Sequence, residues 1–540
     1  MALDMGIHPP TISERLAFDP VWLLDLTFAG KVYHYATEPV QITKGSNSIQ
    51  YMGGLEIDLS QPLSLFSESP QTLSIPVSVH FPDDFGALVA KGHDPNFAIG
   101  EVSIHYPGRT WGERFRVLRG KMAQPQYGAK DEPIAFSLEQ NPFEDAGILI
   151  SDDQRVSAET WPVANYDSSL EGMYYPIVFG TPGVYKGKAG ADKTTTGSPA
   201  LLVDHAGTKY VLIAGHHVRA EDVTIVNNNT GTKEVCAVTN TTDLLGQPVA
   251  LAVISSAYNA DTDNFFTRWD QGGGGLENDR KDGDLTGGGE LLIYMLRRST
   301  LEWDRGRTYA AARYLDRFKF AGYIDDAVTP FEWVKQNLLP LLPVSMIAAA
   351  EGIAPVVWRR EATQDDAVIN FTKGPDCVRV GPVTFETGDP VNDLTLNFAL
   401  RADDNSYKRS IRLTGNDNDR TPYGSTPTGG NFSNIYSRSS FRRFGQRAKT
   451  ISTEIVYDRG TAAQILQWKS RAGATLMRSV PYAIGRRHAA IGVGDVVTIT
   501  DPDVSLSDEL AIVRDVQVTR QTITIELVLL DDPATDNRLT

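Results

Sequence analysis

The sequence predicts a mainly β, multidomain protein in which two β-barrel domains flank a mixed α/β middle region. A chain of 540 residues is longer than one compact core usually extends, so two to four domains are expected. Apolar and polar residues alternate towards both ends of the chain, and helical patterns fall between these regions. With 41% hydrophobic and 22% charged residues, each domain has enough apolar side chains for a core of its own.

The first predicted domain is a β-barrel over residues 1–150. Apolar and polar side chains alternate in the segments 75–81, 102–106 and 134–138, and this period of two is typical of half-buried strands. Short turn signals such as Tyr127-Gly128 recur between the segments. Closely spaced strands of this kind favour an antiparallel barrel or sandwich.

The second predicted domain, residues 151–289, is β-rich and ends in a polar loop. Short apolar runs such as Tyr210 to Ala214 predict strands. The loop from Asp261 to Gly289 contains Gly272 to Gly275 and Gly287 to Gly289. Because glycine-rich chain is too flexible to hold one backbone shape on its own, we expect this loop to be exposed or ordered by a partner.

Two helical runs predict a helical or mixed domain over residues 290–360. The first run covers Glu290 to Ser299. The second begins with Thr329 as the N-cap, a proline at the first helical position, and Glu332 completing a capping box. We expect Pro340 to kink or end this second helix.

The last predicted domain, residues 361–540, is a second β-barrel with one helix. Alternating patterns return at 394–398 and 522–527. The helix between them is predicted to begin with a capping box of Thr461 and Gln464 and to end at Gly473.

The charge balance argues against a protein whose main task is to bind nucleic acid. Lys and Arg number 51, Asp and Glu number 67, and the net charge is −16. That sign is wrong for neutralising phosphates. The acidity indicates either simple solubility or a surface along which nucleic acid passes without adhering.

The sequence indicates neither secretion nor stable membrane insertion. Cys236 and Cys377 are far apart, which excludes a disulfide scaffold and a cysteine zinc site. The residues Met1 to Gly6 lack the basic and apolar regions of a signal peptide. Prolines and a glutamate interrupt the most apolar stretch, Leu338 to Trp358. We expect synthesis and retention in the cytoplasm.

Two segments resemble ligand-binding motifs and depart from them. Gly180 to Ala189 has the wrong glycine spacing for a phosphate-binding loop and lacks its hydroxyl residue. Asn278, Asp282 and Gly283 resemble part of a calcium loop, but Arg280 occupies a ligand position, and Gly289 replaces the bidentate acid. A turn and a solvated acidic loop are the favoured interpretations.

The adjacent histidines His216 and His217 are expected to point to opposite faces of the chain, so one buried and one surface histidine are favoured over a metal site. No serine lies in a nucleophile elbow, and neither cysteine has a neighbouring base. Paired catalytic carboxylates need to be close only in the folded protein, so the acidic residues of the sequence do not indicate whether such a pair exists. We therefore predict no catalytic, cofactor-binding or metal-binding residues, and a protein that is not an enzyme.

One cluster combines basic and aromatic residues late in the chain. It could stack on and neutralise nucleic acid. It could also be an interface strand that pairs with the acids around Asp417 and Asp419 or with a partner, and the overall acidity favours the interface. The cluster comprises Arg438, Phe441, Arg442, Arg443, Phe444, Arg447 and Lys449.

Several short segments occur in a specific order over about residues 15 to 535. Gly120 to Glu139 comes first, followed by Tyr175 to Gly180. The carboxy-terminal third then carries Phe444-Gly445-Gln446-Arg447 at the start of a strand, Asp458 with Thr461-Ala462 at the start of a helix, and Gly492 to Ile499. In this order the segments resemble the baseplate hub, or tail-tip attachment, family of long-tailed bacteriophages and gene transfer agents.

The resemblance implies a fold, an assembly and a location. In that family two β domains of one chain are similar in fold, and three chains place six such domains around a central channel. The chain is then expected to have two tube-type β-barrel domains and to form a homotrimer at the distal end of a siphophage virion tail. It would join the tail tube to the tip or fibre proteins and provide a channel for genome ejection during host attachment.

The same resemblance implies the partners. They are the distal tail protein, the tape measure protein, and tail fibre or central spike proteins. Genomic DNA would pass through the channel without specific binding. No cofactor is implied.

Two other classes of function stay open at this point. A trimeric tailspike-like protein that binds or depolymerises carbohydrate would share the strands and the acids, although it would usually show a repetitive β-solenoid period, and none is evident. A cellular multidomain binding protein is less favoured because signal peptide and ligand motif are both missing from the sequence.

Overall fold

The computed structural model confirms a mainly β, multidomain fold. It describes residues 20–530 apart from 58, 65–73, 130–131, 141–144, 162–167, 187–191, 206–207, 256–257, 259–262, 350, 359–361, 386–389, 417–430, 475–476, 486–487, 489–490 and 519–522. No helix in this described part is long and apolar enough to cross a membrane.

The first domain is built on a seven-stranded sheet in the order β2-β1-β8-β9-β10-β7-β5, with β3 and β4 forming a separate hairpin. Alternation along β7 and β10 buries Val77 and Phe136 in the main core of the domain. The elements are β1 Val21–Phe28, β2 Lys31–Ala36, β3 Val40–Lys44, β4 Asn47–Tyr51, β5 Glu56–Ile57, β6 Leu59–Ser64, β7 Ser74–Val79, α1 Phe85–Ala90, β8 Ile99–His105, β9 Phe115–Gln126 and β10 Ile134–Glu139.

One short segment bridges the two ends of this sheet. Ala36 of β2 donates its N–H to the Met52 carbonyl at 2.6 Å, and the Leu55 N–H donates back to the Ala36 carbonyl at 3.0 Å. The chain then continues into β5, which pairs with β7 at the opposite end of the sheet. Among the described residues, the strand pairings of this sheet do not close into a barrel, and the closed barrel lies in the middle of the chain instead of in the predicted first domain.

The middle domain contains a closed six-stranded barrel in the order β14-β15-β18-β17-β16-β19. Its apolar interior includes Val211, Ile225 and Trp269, all buried. The elements are β11 Ile177–Phe179, β12 Val184–Lys186, β13 Asp192–Thr194, β14 Ser198–His205, β15 Thr208–Ala214, β16 Asp222–Asn227, β17 Lys233–Thr242, β18 Pro248–Val253 and β19 Phe265–Arg268.

The segment from Asp261 to Gly289 is largely built into the fold, and its interpretation as one flexible loop is wrong. Strand β19 within it closes the middle barrel by pairing with β14 and β16. Gly274 and Gly275 pack so closely against the backbone of β11 and the residue after it that an added Cβ would lie 2.5 Å from the Gly180 carbonyl oxygen and 2.1 Å from that of Val178. These glycines therefore permit close packing of backbones rather than flexibility.

Two of the three helices in this region follow the sequence prediction, and the helix Arg305–Leu315 was not predicted. Thr329 caps α4, its hydroxyl accepting a hydrogen bond from the Glu332 N–H at 3.3 Å. A π-helical turn, Val334–Leu338, and a 3-10 turn, Leu339–Leu341, end the run at Pro340. The elements are α2 Gly288–Arg298, α3 Arg305–Leu315, β20 Gly322–Ile324, α4 Pro330–Trp333, β21 Val344–Ala349 and β22 Gly352–Val357.

The last part of the chain holds a second large sheet and an insertion. The sheet runs β23-β31-β32-β33-β30-β24, with β25 also on β30 and β6 on β32. The insertion is a four-stranded sheet, β28-β27-β26-β29, with two helices. The elements are β23 Ile369–Thr372, β24 Cys377–Arg379, β25 Thr384–Phe385, β26 Asp393–Leu400, β27 Tyr407–Leu413, β28 Asn431–Phe432, α5 Ile435–Phe444, β29 Ala448–Ser452, α6 Arg459–Gly473, β30 Arg478–Ile484, β31 Val496–Asp501, β32 Leu506–Val518 and β33 Ile523–Leu529.

The insertion shares its core with the helical region instead of with the last sheet. Leu396 of β26 and Ile465 of α6 belong to the same buried cluster as Leu292 of α2 and Phe331 of α4. The residues predicted as one last domain, 361–540, thus contain two structural units.

Two predictions about the helices of this region are wrong. The region has two helices where one was predicted, because the serine-rich α5 has weak helical propensity and is stabilised by its Asn434 cap and its packing. Helix α6 is capped by Asp458, whose carboxylate accepts from the Thr461 N–H at 2.6 Å. The Thr461 hydroxyl instead accepts from the Lys319 N–H at 2.8 Å and ties α6 to the helical region.

The first and last sheets share a five-strand core with the same order and direction. Strands β8-β9-β10-β7-β5 in the first sheet correspond to β31-β32-β33-β30-β24 in the last, and every pairing in both runs is antiparallel. Both sheets also carry a register shift between their second and third corresponding strands. The chain therefore contains two units of the same five-strand arrangement, without an evident repeat in the sequence.

Strand β6 joins the two repeated units. It follows β5 of the first unit after one residue, and it pairs antiparallel with the end of β32, where Ser64 faces Asp515 and Leu63 faces Val516. The insertion lies between β25 and β30, the position that corresponds to β6 in the first unit.

Asp145 fixes the junction between the first domain and the helical region. Its carboxylate accepts hydrogen bonds from the N–H groups of Gly147 at 2.8 Å, Thr300 at 3.0 Å and Phe331 at 2.8 Å. It thus connects the end of the first domain to the residues after α2 and to the first turn of α4.

We predict that Asp145→Ala destabilises this junction. Each hydrogen bond to a charged acceptor contributes about 1.5–3 kcal/mol, so the thermal midpoint should fall by several degrees in differential scanning calorimetry. Asp153→Ala is the matched control, since Asp153 is exposed and forms no hydrogen bond or ion pair with the residues that the structure describes. Equal midpoints for the two variants would contradict the assigned role.

Candidate assembly surfaces

The described residues contain no group of three or more His, Cys, Asp or Glu side chains that could hold a metal ion. The two adjacent histidines are used separately. His216 is turned inward, and its Nε2 accepts the Val178 N–H at 2.9 Å while Nδ1 lies 2.8 Å from the His217 carbonyl oxygen. His217 is exposed, with Nε2 at 3.1 Å from the Thr241 carbonyl oxygen. Both rings therefore bind backbone groups.

The glycine segment after β11 forms a hairpin. Strand β12 pairs antiparallel with β13, and Gly183 lies against Gly197, where an added Cβ would come within 2.4 Å of the Thr195 carbonyl oxygen. The residues 187–189 lie outside the described part of the chain. The described part of the segment has the turn structure favoured from the sequence.

In the calcium-like segment, Lys281 forms ion pairs with neighbouring acidic side chains. The Asn278 side-chain oxygen accepts from the Arg280 N–H at 3.0 Å. The Lys281 ammonium lies 2.6 Å from a Glu290 carboxylate oxygen and 3.2 Å from one of Asp316. An internal ammonium thus neutralises the acids that could otherwise attract a cation.

Both cysteines are free and buried, in different domains. Burial is the main cause that raises the pKa of the Cys236 thiol to about 11 and that of the Cys377 thiol to about 12. Because the thiolate is the reactive form, neither is suited to nucleophilic chemistry near neutral pH.

The structure divides the basic and aromatic cluster between a helix and a strand, so its prediction as a strand is wrong for the first part. Arg438, Arg442 and Arg443 lie on α5, whereas Lys449 lies on β29. Phe441 and Phe444 are half-buried and do not form an open platform for stacking bases. The acids proposed as its partners, Asp417 and Asp419, lie outside the described residues.

This cluster belongs to a basic segment of an acidic chain. Residues 390–477 carry 13 Lys and Arg against 7 Asp and Glu. The side chains of Arg443, Arg447 and Lys449 are exposed and form no ion pair with any carboxylate in the described residues. We call the exposed side of α5 and β29 the basic face.

Exposed apolar side chains concentrate at two places in the repeated units. The first lies at one end of the first sheet and consists of Phe97, Ile99 and Tyr127, which are 81%, 36% and 48% exposed. We call it the Phe97 surface. The second lies along β24 and consists of Val378 and Val380, which are 59% and 53% exposed on one face of the sheet, whereas Phe385 of β25, 54% exposed, pairs with Arg478 and lies on the opposite face. We call this second place the Val378 edge.

Large apolar side chains that are exposed in one chain are candidates for burial against another protein. The sequence predicts neither surface, because alternation shows that a side chain leaves its own core but not whether another molecule covers it. The described residues thus offer assembly surfaces and no cluster arranged for metal chemistry.

We predict that His216 makes the protein sensitive to mild acid. Burial lowers its pKa to about 4, below the value near 6.5 of an unfolded histidine. Its contribution to stability is complete above about pH 6.5 and is lost as the pH falls towards 4, because the protonated ring no longer accepts the Val178 N–H.

The thermal midpoint of His216→Gln should therefore fall less between pH 7 and pH 5 than that of the natural sequence. Exposed His217→Gln is the matched control and should keep the full decrease. Identical pH dependences for all three proteins would refute the assignment.

Comparisons with known proteins were made on sequence and on structure. No protein-family model and no curated protein matches the sequence. Several solved structures are similar over most of the chain. A 43 kDa prophage tail protein from Shewanella oneidensis is 9% identical with a TM-score of 0.37, and the match covers 95% of this chain and 99% of that one.

A tail protein from Neisseria meningitidis MC58 is 8% identical with a TM-score of 0.36, covering 95% of this chain and 97% of that one. A chain from the virion of a native gene transfer agent particle is 15% identical with a TM-score of 0.20, covering 48% and 84%. The structural neighbours thus include tail proteins and a chain from a gene transfer agent virion.

Proposed function

We propose that this chain is the baseplate hub at the distal tip of a bacteriophage tail, where three copies form a ring around a channel for genome exit. The ring would join the tail tube to the tip and fibre proteins, and its role would be structural rather than enzymatic. Its location would be the virion, after synthesis in the host cytoplasm.

The observation that carries the proposal is the repeated five-strand unit joined by β6. Two units of the same strand order in one chain give three chains six similar positions around an axis. A ring of this kind needs interfaces that join different surfaces and close after a fixed number of copies. The sequence resemblance supplies the number three, since its family places six such domains around one channel.

The distribution of charge supports a channel that DNA passes without adhering. The chain as a whole is acidic, with a net charge of −16, although residues 390–477 carry an excess of basic residues. Acidic residues around a lumen would repel the phosphate backbone. The basic face on that segment would then bind an acidic surface of a neighbouring tail protein.

The proposed partners follow from the position of a hub in a tail. The distal tail protein and the tape measure protein would meet the ring on the side of the tube. Tail fibre or central spike proteins would meet it on the opposite side. The basic face and the insertion that carries it are our candidate site for one of these contacts.

We predict that the purified protein forms trimers at micromolar concentration. Mass photometry should show one main species of three chains, because an obligate ring interface is large and apolar at its centre. A protein that stays monomeric at these concentrations would contradict the proposal.

We predict no measurable binding of double-stranded DNA at physiological salt. A fluorescently labelled duplex should show unchanged anisotropy with the natural protein, and with Arg443→Glu and Arg447→Glu as variants of the basic face. Salt-dependent binding that these two substitutions abolish would instead assign the basic face to nucleic acid.

We also expect no cleavage of host polysaccharide. Incubation of the protein with the isolated polymer should release no reducing ends above a buffer control. Release that depends on protein concentration would support the tailspike-like alternative.

A further inference from the structure

We propose that a cleft between the first domain and the helical region binds a saccharide unit. The cleft has a volume of about 290 Å³. Such a site goes beyond the proposed structural role, because it belongs to each chain by itself. The cleft is lined by Arg119, Leu301, Glu302, Trp303, Arg305 and Glu351.

Three parts of the fold supply these residues. Arg119 lies on β9 of the first sheet, and Glu351 lies in the turn between β21 and β22. The segment from Leu301 to Trp303 follows α2, and Arg305 begins α3. Side chains that are far apart in the sequence thus meet in one cleft, so no local pattern of the sequence could predict it.

The wall that carries Glu302 and Trp303 is fixed by backbone contacts. The Ile353 N–H donates to the Glu302 carbonyl at 2.9 Å, and the Asp304 N–H donates to the Ile353 carbonyl at 2.9 Å. Gly352 permits this approach, because an added Cβ would lie 2.1 Å from the Glu302 carbonyl oxygen. The cleft is therefore preformed, which limits the entropy that binding would cost.

Most polar side chains of the cleft have no partner within the chain. Those of Arg119, Glu302 and Arg305 are exposed and form no hydrogen bond or ion pair with another side chain in the described residues. The Trp303 indole N–H has no acceptor among these residues either. Glu351 is paired, with Arg116. The cleft thus offers donors and acceptors that a ligand can use.

The set of donors and acceptors identifies the ligand class. Guanidinium groups only donate hydrogen bonds, and carboxylates only accept them. A hydroxyl group does both, so a ligand rich in hydroxyl groups satisfies the arginines and the glutamates together. Two arginines and two glutamates line the cleft, and because their charges balance, a simple anion or cation gains no net attraction.

The tryptophan and the size of the cleft agree with a sugar ring. Trp303 is half-buried, and the negative face of an aromatic ring attracts the C–H groups of a pyranose. Leu301 is the one aliphatic side chain among the described lining residues, so an apolar ligand would bury little apolar area there. The volume is near the lower end of the range for small-molecule pockets, which fits a monosaccharide or disaccharide unit.

Saturation-transfer difference NMR of the full-length protein tests the site. Glucose, galactose, mannose and N-acetylglucosamine are offered at millimolar concentration, since ligands of few atoms bind weakly. We expect transfer of magnetisation to the ring protons of at least one of these sugars. Transfer to none of the four would overturn the proposal.

Substitutions locate the binding in the cleft. Arg119→Ala and Glu302→Ala should each raise the dissociation constant of the bound sugar about tenfold, because each removes a charged hydrogen-bonding group. Arg313→Ala and Glu159→Ala are the matched controls, since both residues are exposed and neither lines the cleft. Circular dichroism should show the same fold for all four variants. Controls that weaken binding as much as the cleft variants would overturn the assigned location.

Two comparison ligands separate a saccharide from other ligand classes. Sulfate is an anion and alanine is a zwitterion, and neither carries a hydroxyl group. We expect that neither displaces the bound sugar at equal concentration. Displacement by either ligand that Arg119→Ala abolishes would assign the cleft to charged ligands and overturn the saccharide. Trimer formation is measured separately, so failure of this proposal leaves the hub proposal standing.

Discussion

The pairing of β6 with β32 is the constraint on which the arrangement of this protein depends. It ties a strand that belongs by sequence to the first repeated unit into the sheet of the last one, across more than 400 residues of chain. Backbone hydrogen bonds between strands fix both register and direction. The pairing therefore fixes the position of the two units relative to each other. Along the chain, the closed middle barrel and the helical region lie between the two units, and the insertion lies within the last unit.

A repeat held in this way explains why the two units differ at their surfaces. The end of β32 is paired with β6, whereas in the described part of the chain no strand pairs with the end of β9 on its β8 side, near the exposed Phe97 and Tyr127. The insertion with its basic face occupies the place that β6 has in the first unit. The first unit contributes β6, which links the two units, and the last unit carries the basic insertion. The two units therefore present different surfaces.

The sequence predicts those features of the fold that local patterns determine. Alternation locates β7 and β10, and the cap and prolines around Thr329 locate α4 and its end. Long-range packing decides the rest: the glycines after β19 are rigid because backbone lies against them, and the serine-rich α5 is helical through its cap and its buried face. The repeat is invisible in sequence because strand order constrains burial pattern and not residue identity. The apolar surfaces were likewise beyond sequence reasoning, since exposure depends on neighbouring units.

In the proposed assembly, copies of this chain enclose an axial opening. Electron microscopy of the purified protein, with particles averaged without imposed symmetry, tests for this opening most directly. We expect threefold views with six similar density lobes around a central hole. Compact particles without a hole, or twofold dimers, would contradict it.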